Sequence, residues 1–295
     1  MSHSGKLSVL KCNERRTRKR AAKNIRLRRE LNVWKALSSH PNVTNLYASF
    51  ETERYLCYVV QYVPFRSLDD LIRHGVTFER RALKKVFAEL ASVLHTMHAV
   101  GIMHREITCS NVLLSRGHSC LLGDFSSSAV ATLRRRRTGS LAFMAPEMLA
   151  RRSYNKAADW WSYGIVLYAI NHKFTPLAMH LRNNGVDLED LSEGDRHRLA
   201  ANVKVRVDAG LAMATKSFIT ELLQEEPESR LGARHGDFDL LRNHPFFIGY
   251  DWHHLIAAES EIIASPTTSS LLGDCSDSSA LSGRDHSNGQ TATQD

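Results

Sequence analysis

Residues 102–114, IMHREITCSNVLL, place a carboxylate at Glu106 and an amide at Asn111, five positions further on. The acid can take a proton from a hydroxyl, and the amide carbonyl can ligate a hard cation such as Mg²⁺. The stretch has the outline of a loop that positions a hydroxyl for phosphoryl transfer. Glutamate at 106 carries its acid one methylene further from the backbone than an aspartate would. Downstream, GDFSSS (123–128) puts Asp124 between the apolar run CLLG and a polar loop. Upstream, SVLK (8–11) ends in Lys11, and Glu30 lies in a helical pattern.

These residues need elements to position them. Leu7 to Cys12 reads as a short strand. Leu27, Leu31 and Trp34 share one face of a helix predicted over 21–37, and Glu30 points the same way. An inward glutamate requires a partner, because an unpaired buried charge is costly, and Lys11 is the obvious one. Tyr55–Val63 reads as a buried strand stopped by Pro64. Leu83, Phe87, Leu90, Leu94 and Met97 define an amphipathic helix over 79–99. WWSYGIVLYAI (160–170) is apolar all round, as a helix in mid-core should be. The layout is a small strand-rich part up to residue 63, a helical part over 64–256, and a Ser/Thr-rich tail over 257–295 expected to be disordered.

The ordered set Lys11, Glu30, His104-Arg105-Glu106, Asn111, Asp124-Phe125, Ala145-Pro146-Glu147, Asp159 and Arg230 resembles a eukaryotic protein kinase catalytic domain over roughly residues 5–250. DWWSYG and the RLG…HPFF…DW run look like the AGC serine/threonine kinases. ELASVLHTMHAVGIMHRE is similar to the ribosomal protein S6 kinase-related branch. The resemblance implies an α+β, two-lobed fold with a truncated small lobe. It implies ATP and Mg²⁺ as cofactors, with Lys11 on the phosphates, Glu30 as its partner, Asn111 and Asp124 on the metal, and Glu106 as catalytic acid-base group. Val9, Val60, Gln61 and Val63 fall where the family holds adenine. Glu147 with Arg230 resembles a buried pair that fixes the activation segment, and Asp159 resembles the aspartate that holds the catalytic-loop backbone. Trp34, Leu46, His104 and Phe125 fall where the family stacks side chains between lobes.

Several positions depart from the pattern. Only ten residues precede Lys11, and the glycine-rich loop that covers nucleotide phosphates is absent from them. Val9 replaces alanine at the roof of the adenine pocket. Glu106 replaces aspartate, Thr108 replaces a lysine near the transferred phosphate, and Ser126 replaces the glycine after Asp124-Phe125. LRRRRTGS (133–140) loads the activation segment with arginine and sets Thr138 and Ser140 in basic contexts. Two readings follow: a protein serine/threonine kinase of weakened activity, or a pseudokinase that serves as a scaffold or allosteric partner.

Bulk properties narrow the field. Hydrophobic content is 43% and formal net charge +8. Residues 1–35 hold twelve Lys or Arg against Glu14 and Glu30. That basic stretch, RRTRKR (15–20) included, lacks interleaved aromatics, so no nucleic-acid partner is expected. The five scattered cysteines contain no C-x-x-C pair and read as reduced thiols, in neither a disulfide framework nor a zinc site. No stretch reaches the roughly 18 apolar residues of a membrane span. The expected partners are ATP and a protein substrate or partner, the expected state is a monomer, and the expected compartment is the cytoplasm or nucleus.

Overall fold

The computed structural model describes residues 7–14, 21–64, 66–115, 117, 119–130, 133–234, 236–265, 268 and 271. The RRTRKR run, Cys275 and the tail from 272 to 295 lie outside them. The fold is α+β. Strands β1 (Ser8–Glu14), β2 (Leu46–Glu51) and β3 (Tyr55–Gln61) form an antiparallel sheet in the order β1-β3-β2, with helix α1 (Ala21–Ala36) between β1 and β2 in the chain. Lys11 stands opposite Tyr58, and Cys12 opposite Cys57. Because side chains alternate across a pleat, Val9, Lys11, Tyr58 and Val60 share one face and Cys12 and Cys57 the other. The first face meets α1, where the Tyr58 hydroxyl donates to the Leu27 carbonyl at 2.9 Å.

Beyond residue 64 come α2 (Leu68–Arg73), α3 (Arg80–Ala99), two short strand pairs, and then helices to the end of the described chain. Strands β4 (Ile102–Met103) and β7 (Ala129–Val130) pair, as do β5 (Val112–Leu114) and β6 (Cys120–Leu122). These pairs set the geometry of the site. Residues 104–111 form the loop from β4 to β5, and Asp124 lies in the turn from β6 to β7.

The core follows the periodicity. Leu83, Phe87, Leu90, Leu94 and Met97 are all buried along α3. Helix α5 (Ala157–His172) is buried on every side from Ala157 to Ile170. Each fully buried large apolar side chain contributes about 1.5–3 kcal/mol relative to exposure. Gly164 in mid-helix lets Leu222 and Leu223 approach so closely that a Cβ there would lie 2.8–2.9 Å from their carbons. Residues 42–44 tie the sheet to the helical part. Leu122 N donates to Asn42 O at 2.8 Å, Thr44 N to Leu122 O at 3.0 Å, and the Trp34 indole to Thr44 O at 2.6 Å.

After α4 (Pro146–Leu149), α5, α6 (Pro176–Asn184), α7 (Glu193–Asn202), α8 (Met213–Leu222) and α9 (Asp237–Arg242), helix α10 spans His253–Ile263. It corrects the expected tail boundary at 257. Leu255, Glu259 and Ile262 are buried on its inner face, an amphipathic pattern that the Ser/Thr-rich composition downstream masks. Past it, Thr268 Oγ1 donates to Ala36 O at 3.4 Å and the Leu271 carbonyl accepts from Asn32 at 3.3 Å, bringing the chain back to α1. Among the described residues, no helix is long and apolar enough to cross a membrane.

Burial also couples stability to pH. Glu89 on α3 accepts from Cys120 N at 2.6 Å. Desolvation raises its carboxyl from 4.5 to about 7, against the pull of that N–H and of Lys85. Between those values the folded state holds more protons than the unfolded chain, so this contribution declines as pH rises. Burial lifts Glu259 to about 7 with the same sign. Burial lowers His40 and His95 from 6.5 to about 4, which makes stability rise with pH over that window. Glu89→Gln removes one declining term while keeping an acceptor for Cys120. In urea unfolding, the variant should lose less stability than wild type between pH 5 and 7.5. Parallel pH profiles would contradict this assignment.

Candidate active site

Lys11 joins three elements. Its Nζ donates to Glu30 Oε1 on α1 at 2.7 Å and to Asp124 Oδ1 at 2.9 Å. Glu30 is 2% exposed, whereas the Asp124 side chain keeps 40% of its surface exposed. Burial works against the ammonium charge of Lys11, but Glu30 and Asp124 together raise its pKa, so it stays protonated. Burial likewise opposes the Asp124 carboxylate. Lys11 and the Ser126 hydrogen bond outweigh it and hold that pKa below its ordinary value. Helix α1 is fixed over the same turn by Arg26, whose Nε donates to Ser126 O at 2.8 Å.

Asp124 has φ 58° and Arg105 φ 66°, both in the left-handed region that non-glycine residues avoid. Strain of this kind persists where the surroundings over-determine it. For Asp124 the constraints are Lys11 and Ser126 N, the latter donating to Oδ1 at 3.2 Å. Ser126 is not among the positive-φ residues, so serine there meets no left-handed strain. For Arg105 the constraint is Asp159, which accepts from Arg105 N at 2.7 Å, from His104 N at 2.9 Å and from His98 Nε2 at 2.9 Å. Burial would raise the Asp159 pKa, but His98 and the backbone N–H groups lower it. Trp34, Phe125 and His104 stack edge-on, with centroids 5.5 and 5.4 Å apart, and Leu46 packs against the same core.

Along the loop, Asn111 Nδ2 donates to Glu106 O at 2.9 Å, which leaves its carbonyl oxygen turned away as an acceptor. Thr108 is 4% exposed, and its Oγ1 accepts from Asn111 N at 3.3 Å. The residue in place of the expected lysine is thus built into the turn that holds Asn111.

The extra length of Glu106 has a definite destination. Its Oε2 accepts from the Ser127 hydroxyl at 2.5 Å, and Ser127 Oγ lies 3.2 Å from Thr138 Oγ1. Sequence reasoning missed Ser127. The only signal was the glutamate itself, whose longer reach requires something to touch. Arg105 Nε donates to Ser127 O at 2.6 Å and its Nη1 to the Tyr154 hydroxyl at 3.2 Å, while that hydroxyl donates to Arg136 O at 2.6 Å. Tyr154 was also missed. Arg134 and Tyr154 exchange backbone hydrogen bonds at 2.8 and 2.7 Å. Arg135 reaches Ser153, and Arg137 reaches the carbonyls of Met148 and Leu149. The arginine run is therefore seated on the α4–α5 connection. Gly139, at φ 92°, lies so close that a Cβ would come within 2.6 Å of the Arg105 carbonyl.

One further carboxylate pair completes the frame. Arg230 and Glu147 are both buried and pair in a bidentate fork at 2.6 and 2.7 Å. Of the residues expected at adenine, Val9 and Val60 stand opposite each other in the β1–β3 register. Val9 is 43% exposed and Val60 is buried. The Gln61 side chain accepts from Asn45 N and Nδ2 at 3.1 and 3.0 Å, and Val63 is half-buried just past β3. The structure brings Lys11, Glu30 and Asp124 into direct contact and joins Glu106 to Asn111 through the loop backbone. The Val9–Val60 pair lies along the sheet face that carries Lys11.

Residues 1–247 match the family described as protein kinase domain. The chain is 28% identical to the mouse (Mus musculus) protein "Ribosomal protein S6 kinase alpha-2", over 88% of this chain and 34% of that protein. It is 30% identical to a probable serine/threonine-protein kinase of Dictyostelium discoideum, over 80% and 49%. To "Serine/threonine-protein kinase Sgk3" of Rattus norvegicus it is 28% identical, over 77% and 44%. It thus spans between a third and a half of the length of these relatives.

Proposed function

The chain belongs to the protein kinase domain family, and from that premise we propose that it binds ATP with Mg²⁺ in the cleft of Lys11 and Asp124 and transfers phosphoryl groups to serine or threonine hydroxyls of proteins, at a rate attenuated by Glu106. The observation that carries this reading is the Lys11 ammonium held between Glu30 and Asp124 at 2.7 and 2.9 Å. A lysine on a flexible stem is a poor phosphate ligand unless a buried carboxylate fixes it, and Glu30 does so. The site residues fit the cofactor. Asn111 presents a carbonyl oxygen, and Asp124 is partly exposed with Oδ2 uncommitted to Lys11. These two would hold the metal. ATP with Mg²⁺ supplies the transferable group when bound. Glu106 accepts the proton of the attacking hydroxyl, and the Ser127 hydroxyl already in that position supports its competence as an acceptor.

The same contact favours a second reading, in which the domain is a nucleotide-gated scaffold. A carboxylate engaged by a neighbouring serine is withdrawn from a substrate, and Thr108 leaves no lysine charge beside it. The relatives named as kinases support the enzyme reading.

Titration with Mg²⁺-ATP, read as a thermal shift, tests the shared premise. Ligand binding to the folded state stabilises it by about 2.7 kcal/mol at a hundredfold excess over Kd. The wild-type midpoint should rise, and Lys11→Met should lose most of the rise while keeping its own unliganded transition. An unmoved wild-type midpoint would sink both readings.

A further inference from the structure

On the sheet face away from Lys11, Cys12 of β1 and Cys57 of β3 are register partners with sulfurs 3.1 Å apart. Neither is in a disulfide, and no role in the proposed chemistry involves them. We propose that Cys12 and Cys57 form a reversible dithiol–disulfide site that is oxidised by hydroperoxides.

Three observations carry the proposal. Directly opposite residues of an antiparallel pair have Cα atoms about 4.5–5.5 Å apart, inside the range a disulfide spans without backbone movement. Cys12 is exposed and Cys57 is 3% exposed, so one sulfur meets the oxidant and the other waits behind it. Phe50 of β2, opposite Cys57 on its other side, completes the row Cys12–Cys57–Phe50 across the sheet. The Cys12 sulfur attacks the outer peroxide oxygen, the O–O bond breaks, and the leaving oxygen takes the Cys12 proton as an alcohol, or as water from hydrogen peroxide, with a sulfenic acid left on Cys12. The Cys57 sulfur then attacks the Cys12 sulfur, the S–O bond breaks, and the hydroxide takes the Cys57 proton as water. Two thiols are oxidised by two electrons and one hydroperoxide is reduced.

Among the described residues β1 is an edge strand of the sheet, paired with β3, and it carries Lys11 one residue before Cys12. The bond therefore pins the strand that presents Lys11 without entering the cleft. This inference stands whether or not the domain turns over, because its readout is covalent.

The test treats the full chain with hydrogen peroxide near stoichiometry and blocks remaining thiols. After non-reducing tryptic digestion, peptides are mapped by mass. The expected product links the peptide beginning at Cys12 to the one spanning Tyr55–Arg66, two hydrogens lighter than their sum, and dithiothreitol restores both thiols. Cys12→Ser, at an exposed position, should abolish the link with an unchanged melting transition. Peroxide that converts Cys12 to sulfinic or sulfonic acid with no linked peptide overturns the proposal. So does a link from Cys12 to any other cysteine or to a second copy.

Discussion

Arg230→Ala costs the fold about 3–5 kcal/mol, because it leaves Glu147 as an uncompensated charge in the core. The loss is large against the 5–15 kcal/mol that typically separates folded from unfolded domains. Arginine at this position uses all five of its donors. Nε bonds Gln224 O, Nη1 bonds Glu147 Oε1 and Ala157 O, and Nη2 bonds Glu147 Oε2 and Glu225 O, at distances from 2.6 to 3.1 Å. The guanidinium also lies 5.1 Å from the Trp161 ring centroid. Lysine has three donors and no planar fork, so Arg230→Lys should recover only part of the loss. An apolar pair, Glu147→Leu with Arg230→Met, should recover more than either single change, since replacing both ions removes both desolvation costs. Urea unfolding of the four proteins is the measurement. A loss below about 1 kcal/mol for Arg230→Ala would show that Glu147 is neutralised by other means. The consequence reaches the site, because Glu147 opens α4 at the end of the segment that carries Thr138 and Gly139.

Much of this arrangement was legible in the sequence, and the part that was not has a physical pattern. Helices α3 and α5 follow from periodicity and from all-round apolarity. The Lys11–Glu30 contact follows from one glutamate on an apolar helix face, since burying a charge restricts its options severely. Arg230 and Glu147, 83 positions apart, came from order and spacing that resembled a family. The left-handed backbone at Arg105 and Asp124 is invisible in letters, because it results from tertiary constraints on residues that would otherwise avoid it. Tyr154 was missed for a related reason. Its hydroxyl joins Arg105 to the Arg136 carbonyl only because the 134–154 backbone bridge brings those segments together. Helix α10 was not read from the sequence, and the tail was drawn from 257, because the Ser/Thr-rich composition downstream dominated the window.

Glu106→Asp should raise phosphoryl transfer on the order of a hundredfold, the scale associated with an ångström of misplacement at a reacting group. The argument rests on where the longer side chain goes. Glu106 Oε2 is held at 2.5 Å by Ser127 Oγ, so an attacking hydroxyl must displace an existing donor before its proton can be taken. Aspartate is too short to keep that contact and leaves its carboxylate to the cleft. Ser127→Ala removes the competing donor from the other side and should also raise the rate, with Glu106 in place. Because both changes abolish one contact, their gains should not add, and the double variant should match the better single one. Glu106→Gln keeps the shape and removes the base, so it should lower kcat by about 10²–10⁴ with KM for ATP little changed. Steady-state kinetics on a generic protein acceptor would distinguish these outcomes. If Glu106→Asp is slower than wild type, glutamate is matched to this site and Ser127 positions it. If every variant is inactive while Mg²⁺-ATP still stabilises the fold, the scaffold reading holds. Thr138 adds a sign to the same network. A phosphate there would set a dianion beside Ser127 and within reach of Glu106, and like charges at that distance oppose each other. Modification of Thr138 should therefore lower the rate of wild type more than that of Glu106→Gln, whose side chain carries no charge to repel.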